Sequence, residues 1–399
     1  MKRQLIDSIW LHWPETKALA KAVGPLRFVG GCVRDALLGR EVKDVDAATP
    51  LPPAQVMKRL KAAGLKAIPT GIDHGTVTAR IGERHFEVTT LRRDVTTDGR
   101  HATVAFTENW QEDAARRDFT MNALYCDAQG LVYDYFGGME DAQAGKVRFI
   151  GDAAQRIRED SLRILRFFRF FAHYGQGAVD VAAIKACGEL SSLIDTLSGE
   201  RICLEMLKLL TSERAGEVVG IMQRQGVWPF VVPANVKTET LALLPPLLRK
   251  AGSAPDALLS LALLLRSTQK AQALADGVAL RWKLSKAQHK RLAALCELQV
   301  AGCRLQEKDW KKRIRAWGPE LFIDRMILSM AEGAEEATAL AAIALARSWE
   351  IPVFPVTGDD LIARGVKPGK ELGEKLGALE ARWEESGYVM STEELLKPA

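Results

Sequence analysis

The chain is poor in cysteine, with six among 399 residues (Cys32, Cys126, Cys187, Cys203, Cys296 and Cys303), and no two are spaced C-x-x-C. That scatter argues against a structural zinc site and against a disulfide framework. Reduced thiols in an intracellular compartment are the simpler expectation. No apolar run reaches membrane-spanning length. The opening Met1-Lys-Arg-Gln-Leu-Ile-Asp-Ser-Ile-Trp10 brings acidic and aromatic residues too early for a secretory signal. A cytoplasmic location with no membrane partner is therefore expected. Internal repeats and low-complexity tracts are also missing. Charge of one sign is nearly absent in excess: 55 Lys and Arg against 50 Asp and Glu leave +5. That balance is compatible with nucleic acid but does not establish it. What is present is 47% hydrophobic and 26% charged residues, the composition of a globular chain long enough for several domains.

The texture changes near residue 150. Before it, strand and helix patterns mix: Val77–Ile81 and His85–Thr90 read as a hairpin across Gly82-Glu83, and Leu131–Phe136 reads as a strand closed by Gly137-Gly138. After it, apolar residues recur at helical spacing, as at Leu162, Leu165, Phe168 and Phe171. The expected class is α+β, a mixed-sheet head followed by a helical remainder. Pro245-Pro246, the run 252–255 and Pro352/Pro355 are candidate seams in the helical part.

The densest chemistry lies in Arg27–Asp46, RFVGGCVRDALLGREVKDVD. Phe28 and Val29 read as the end of a buried strand. Gly30 and Gly31 let the backbone approach a ligand closely. Val33–Leu38 has helical spacing, so free N–H groups at that helix start favour an anion, and Arg34 offers a fork of donors suited to phosphate. Asp44 and Asp46 flank Val45 in a run continuing Ala-Ala-Thr. On a strand, residues i and i+2 share a face, so two carboxylates emerge side by side. Like charges so close repel unless a cation lies between them, and hard oxygen donors suit Mg²⁺. A triphosphate at one end and a metal at the other suggest nucleotidyl transfer. A lone Gly-Gly is usually a tight turn and a lone Asp-x-Asp a loop or cap; the order of the two, with Arg-Asp between them, is what carries the signal. In that order they match the signature of the nucleotidyltransferase superfamily headed by DNA polymerase β, and the arrangement resembles its class II branch, which holds tRNA CCA-adding enzymes and bacterial poly(A) polymerases.

The resemblance extends through four further motifs. Glu87 sits on the polar face of His85-Phe-Glu-Val-Thr-Thr90 and by resemblance is the third catalytic carboxylate beside Asp44 and Asp46. Two Mg²⁺ ions, held by Asp44 and Asp46, are then implied. Leu91–Phe106 carries an Asp98-Gly99-Arg100 turn signal in a polar stretch that reads as a mobile loop. It resembles the flexible loop of enzymes able to add a terminal A. In Arg116-Arg-Asp-Phe-Thr-Met-Asn-Ala-Leu124, Asp118 and Asn122 would share a face of a helix. The pattern is similar to a ribose-binding motif in which Arg117 and Asp118 touch nucleotide. In Arg156–Arg169, Asp160 and Arg163 are helix neighbours, with Arg166 and Arg169 continuing the ridge. A surface salt bridge is the ordinary account of such a pair. A carboxylate and a guanidinium would also accept the amino group and meet the ring nitrogen of cytosine or adenine, whereas uracil and guanine would oppose both contacts. The family's Glu-Asp-x-x-Arg motif, falling on Glu159, Asp160 and Arg163, acts as such an amino-acid template. Gly31, Arg34, Arg117, Asp118, Asp160, Arg163, Arg166 and Arg169 are thus the expected nucleotide-binding residues.

By resemblance the parts are a catalytic head (1–145), a neck with the nucleotide-selecting motif (146–210), a helical body (211–320) and a tail with tRNA binding (321–399). Ser198–Leu210 reads mainly as core. Basic clusters at Arg281, Lys283, Lys286, Lys290 and at Lys308, Lys311, Lys312, Arg313, Arg315 lie among Trp282, Trp310 and Trp317. They are either a solvated face or a groove for tRNA phosphates. Thr357–Gly373 reads as helix, glycine-rich hairpin and helix, similar to the family's tail element. The implied activity is addition of C, C and A to tRNA 3′ ends from CTP and ATP, with the acceptor and T arm as the partner surface and no DNA. An A-adding enzyme, a poly(A) polymerase or a catalytically silent RNA-binding module are the alternatives. Gly71-Ile-Asp-His-Gly-Thr-Val77 resembles the CCA-adding pattern rather than that of poly(A) polymerases, and no His-Asp dipeptide marks an attached phosphohydrolase. Oligomeric state stays open.

Overall fold

The computed structural model describes residues 3–98, 101–297 and 306–397. It is α+β, as expected. The strands in chain order are β1 (Arg3–Leu5), β2 (Arg27–Val29), β3 (Ala47–Thr49), β4 (Lys66–Gly71), β5 (Thr76–Ile81), β6 (Arg84–Thr90), β7 (Arg92–Asp98), β8 (His101–Phe106), β9 (Leu124–Cys126) and β10 (Leu131–Asp134). Eight of them form one sheet in the order β1-β10-β9-β2-β3-β6-β5-β4. Every pairing in it is antiparallel except β3 with β6, where Ala47 lies opposite Val88. The hairpin read from Val77–Thr90 is β5–β6, with Thr78 opposite Glu87.

Burial explains the sheet. Phe28, Val33, Val45, Val56, Leu60, Phe86 and Val88 join Trp10 in one buried cluster. Val29, Ala48, Leu91, Ala114 and Tyr125 form a second. Neighbouring strand residues such as Phe28 and Val29 fall into different clusters because side chains alternate across a pleated strand. β1, β4 and β9 carried no legible alternation. They are short, or, like β4, half-exposed at the sheet edge.

The stretch 91–106 departs from the loop expected. β7 and β8 pair antiparallel from Arg92↔Phe106 to Asp98↔His101, with a register shift between Asp94 and Thr96. The β-branched Val95, Thr96, Thr97, Thr103 and Val104 favour strands; the tip at 99–100 lies outside the described residues. Cys303 does too.

From residue 153 onward the described residues form helices joined by turns, without a further strand. The chain divides into two compact units, one of residues 1–238 with 277–285, the other of 239–276 with 286–399. Pro245 and Pro246 are not seams: they occupy the first turn of helix Leu244–Lys250, where a missing N–H costs nothing. In the first unit, Trp282 is fully buried and donates its indole N–H to the Val231 carbonyl at 3.1 Å. In the second, the basic helix Glu307–Trp317 is neutralised by its own unit: Lys311 pairs with Glu307, while Lys312 and Arg315 pair with Glu384 of helix Lys370–Glu385 at 3.1 and 3.0 Å. The second basic cluster is therefore largely a helix-packing seam. In the tail, Thr357 and Asp360 close a capping box on helix Gly358–Ile362, and turns lead from it into Lys370–Glu385.

One close approach braces the site. A Cβ on Gly138 would lie 2.1 Å from the Thr120 carbonyl oxygen, against the turn that holds Asn122. Gly138→Ala should cost about 1–3 kcal/mol by overpacking, read as a lowered urea midpoint at unchanged m-value.

Candidate active site

Asp44, Asp46 and Glu87 are assembled by one register. β3 begins at Ala47, so the two aspartates precede the strand rather than lie on it. The alternation survives: Asp44 and Asp46 are exposed, and Val45 is buried between them. The Asp46 carbonyl accepts from Val29 N–H at 2.9 Å, which ties this lead-in to β2. Because Ala47 faces Val88 in the parallel pair, one step back on each strand puts Asp46 beside Glu87. Crowding by protein around its carboxyl, then repulsion by Glu87 and Asp44, push Asp46 up to about 6, with Arg117 opposing. Among the described residues no three His, Cys, Asp or Glu side chains converge into a closed metal cage. The donor set still fits Mg²⁺, a hard cation that keeps waters and takes phosphate oxygens alongside one or two carboxylates.

The positive counterpart is Arg117. It donates to Tyr125 Oη and Asp113 Oδ2, both at 3.2 Å. Its Nη1 lies 3.6 Å from where a Gly30 Cβ would stand. That is ordinary van der Waals distance, so what calls for glycine at 30 is its φ of +77°, which L side chains rarely adopt. Gly31 starts helix Gly31–Leu37, two residues earlier than the periodicity suggested. Although burial works against the ionised carboxylate, Arg117 and Arg116 hold Asp113 down at about 2. Sequence reasoning missed Asp113 and Tyr125; an Asp four residues before Arg117 was the available signal.

Arg34 is buried and already engaged. It donates to Asp35 at 2.9 Å, to Tyr174 Oη at 2.7 Å and to Asn122 Oδ1 at 2.5 Å. A fork so occupied orients Asn122 and joins helix Gly31–Leu37 to helix Leu162–Tyr174.

Asp118 and Asn122 pair at 3.0 Å, but across a single 3₁₀ turn (Thr120–Asn122) rather than along an α-helix. Asp118 Oδ1 also accepts Phe119 N–H, and Oδ2 accepts Nε and Nη2 of Arg166 at 2.8 and 2.5 Å. These four bonds fill a carboxylate's capacity. Burial would raise the Asp118 pKa, yet Arg166 and Asn122 hold it below its ordinary value.

Asp160 and Arg163 are not neighbours on one helix. Helix Ala153–Glu159 ends at Asp160, which is extended (φ −153°, ψ 105°), and the next helix starts at Leu162. Their carboxylate and guanidinium are not bonded to each other. Asp160 Oδ1 accepts Leu162 N–H at 3.1 Å and Arg201 Nη2 at 3.0 Å, and Oδ2 accepts the same Nη2 at 2.8 Å. Arg163 Nη1 donates to Glu159 and to the Arg156 carbonyl, each at 2.7 Å, and Nη2 to the Arg116 carbonyl at 3.2 Å. Among the described residues this leaves an acceptor site on Asp160 Oδ2 and the Arg163 Nε–H donor unbonded. Arg166 and Arg169 face Glu205, which is buried in helix Gly199–Leu210; Arg169 Nε bonds it and Arg166 Nη1 lies at 3.6 Å. Arg201 and Glu205 were missed because their helix read as core.

With this geometry in view, likeness to known proteins is specific. A model of the Poly A polymerase head domain matches residues 26–148, and one of the probable RNA and SrmB-binding site of polymerase A matches 179–235. The Mus musculus mitochondrial CCA tRNA nucleotidyltransferase 1 is 38% identical over 396 residues, covering 96% of this chain and 88% of its own. An Enterococcus faecalis CCA-adding enzyme is 29% identical, covering 92% and 90%. The Bacillus stearothermophilus CCA-adding enzyme solved with CTP superposes with a TM-score of 0.78 at 27% identity, covering 94% of this chain and 93% of that one.

The raised Asp46 value sets a sign. Relative to the ordinary 3.8, a folded value of about 6 favours the folded state below pH 4, and this contribution is lost as pH rises to about 6. Asp46→Asn should therefore raise the thermal midpoint at about pH 7.5 in EDTA and change it little at about pH 4. Equal shifts at both would remove the repulsion argument.

Proposed function

This chain belongs to the CCA tRNA nucleotidyltransferase family, and we propose that it completes tRNA 3′ ends, adding C, C and A from CTP and ATP with release of pyrophosphate. The observation that carries the reading is the Asp46–Glu87 juxtaposition across the parallel β3–β6 pair, with Arg117 beside it. Nothing structural calls for converging exposed carboxylates that repel one another.

Asp44 and Asp46 would hold Mg²⁺, with Glu87 as the third catalytic carboxylate; two ions so bound supply neutralisation of the triphosphate and activation of the attacking 3′-hydroxyl. Gly31 and Arg117 are assigned to the phosphate side of the nucleotide, where backbone N–H groups and a guanidinium neutralise charge. Arg34, Asp118, Arg166 and Arg169 are assigned to nucleotide binding through the positions they impose, because their polar atoms are largely committed to protein partners. Asp160 Oδ2 and Arg163 Nε present an acceptor and a donor. Together these match the amino group and ring nitrogen of cytosine or adenine, and both turn repulsive toward uracil and guanine. The protein then dictates the sequence it adds.

We assign tRNA binding to the helical tail (321–399), with the parts divided near residues 145, 210 and 320. Cys32, Cys126, Cys187, Cys203 and Cys296 are free. Among the described residues no helix is long and apolar enough to cross a membrane. A cytoplasmic location is proposed from the thiols, although the mouse relative is named as mitochondrial.

The deciding experiment offers purified protein and Mg²⁺ three tRNA transcripts, ending at the discriminator base, at C and at CC, with each nucleotide singly and CTP with ATP. Termination after CCA on all three is expected. Extension of the CC transcript alone would make this an A-adding enzyme, and long A tails a poly(A) polymerase. Asp44→Ala should lower incorporation by about 10³-fold or more while tRNA binding persists; activity near wild type would end the metal assignment. Deleting 97–102 should spare C addition and impair A addition, whereas equal loss of both would refute the ribbon's role.

A further inference from the structure

Helix Gly199–Leu210 meets the selecting segment through three contacts spaced along one face. Arg201 grips Asp160, Glu205 receives Arg169 with Arg166 nearby, and the Lys208 carbonyl bonds His173 Nε2 at 2.7 Å. Positions 201, 205 and 208 are separated by four and three residues, so they line one helical stripe. The charges on that stripe are the reverse of those opposite: a cation against Asp160, then a carboxylate against Arg166 and Arg169. A slide of one helix along the other would break both pairs at once.

The stripe is itself anchored. A Cβ on Gly199 would lie 2.2 Å from the Arg281 carbonyl oxygen, so the helix start sits directly on the backbone of that residue. Arg281 in turn donates to the carbonyls of Leu197 and Ile194, both at 3.1 Å. Ile202, Met206 and Leu209 are fully buried behind the stripe.

Asp160 needs such an anchor. It stands in extended conformation between two helices, where no intrahelical bond fixes its side chain. Among the described residues Leu162 N–H and Arg201 hold it, and the Asp160 and Arg201 side chains are 28% and 31% exposed. One Arg201 nitrogen bridges both oxygens; together with Leu162 N–H on Oδ1 it fixes the carboxylate's plane and leaves acceptor capacity on Oδ2.

We propose that Arg201 is a positioning residue for nucleotide choice, holding the Asp160 carboxylate in the one orientation that accepts an amino group and refuses a carbonyl. This rests on Asp160 and Arg163 being the base-selecting pair. A carboxylate free to turn would relieve the mismatch with uracil or guanine, so losing Arg201 erodes selection more than turnover.

The test uses full-length enzyme and a CC-ended tRNA, measuring kcat/KM for ATP and GTP, and CTP against UTP on the shorter transcript. Melting curves accompany each variant. In Arg201→Ala the ratio of correct to incorrect nucleotide should fall roughly tenfold or more, with KM for tRNA unchanged. Arg201→Lys should recover much of it, and Arg201→Ala should add little in an Asp160→Ala background. An unchanged ratio in Arg201→Ala overturns the proposal, as does a deficit in Arg201→Lys as deep as that of Ala, which would assign the effect to packing. If Arg201→Ala melts too low to assay, Arg201→Gln replaces it with the same expectation and the same overturning result. If Asp160→Ala itself leaves the ratio intact, the base-selecting assignment fails instead, and Arg201 with it.

Discussion

Asp118 bonded to Arg166, with Glu205 against Arg166 and Arg169, is the interaction on which the rest of the site depends. Two buried carboxylates and two arginines lie where the head segment before β9, helix Leu162–Tyr174 and helix Gly199–Leu210 meet. Buried charge is costly unless paired, and breaking one partner strands the other. The lattice therefore has one arrangement in which every member is satisfied. Packing alone specifies less: the interface behind it is built from Phe119, Phe149, Phe167 and Phe170, rings 4.9–6.3 Å apart whose geometric preference is weaker than that of a charged hydrogen bond. Aromatic burial supplies the adhesion, and the ion pairs supply the register.

The catalytic carboxylates are arranged on the opposite principle. Asp118 is held below its ordinary pKa because cations and donors surround it, while Asp46 is raised by crowding and by two like charges. The first group is finished within the fold. The second is left with negative charge that the protein does not neutralise, apart from the pull of Arg117. A divalent ion and a triphosphate are what such an unfinished balance accommodates. Arg117 serves both sides, bonded to Asp113 and Tyr125 while its charge opposes the rise of Asp46.

How much of this was legible follows from what sequence patterns encode. Alternation around Val45 and around Phe86 and Val88 predicts that Asp44, Asp46 and Glu87 are exposed, and they are, since one buried residue between polar ones fixes which way the carboxylates face. That held although β3 starts only at Ala47. Arginines at spacing three on Arg156–Arg169 showed a ridge, and the ridge exists. What it faces was hidden, because Glu205 and Arg201 come from a segment distant in sequence, and a helix with an apolar stripe says nothing about its one polar contact face. The break at Asp160 was hidden too. Helical spacing runs through it, and the extended Asp160 that separates the two helices is held by long-range bonds to Arg201. The ribbon of β7 and β8 reads as a loop in sequence because turn residues and polar composition mark both.

These two hidden features belong together. A protein that chooses a base without a nucleic-acid template discriminates by leaving wrong groups unpaired, and the penalty is real only if the protein's own groups cannot turn to meet them. A carboxylate within a regular helix surface has several rotamers and open solvent around it. Asp160, set in a break and clamped by Arg201 on one side and Leu162 N–H on the other, has far fewer. The irregular backbone that defeated the periodic pattern is thus the feature that lets a short side chain act as a rigid acceptor. Sequence periodicity reads regular structure, and selectivity here is placed where regular structure stops.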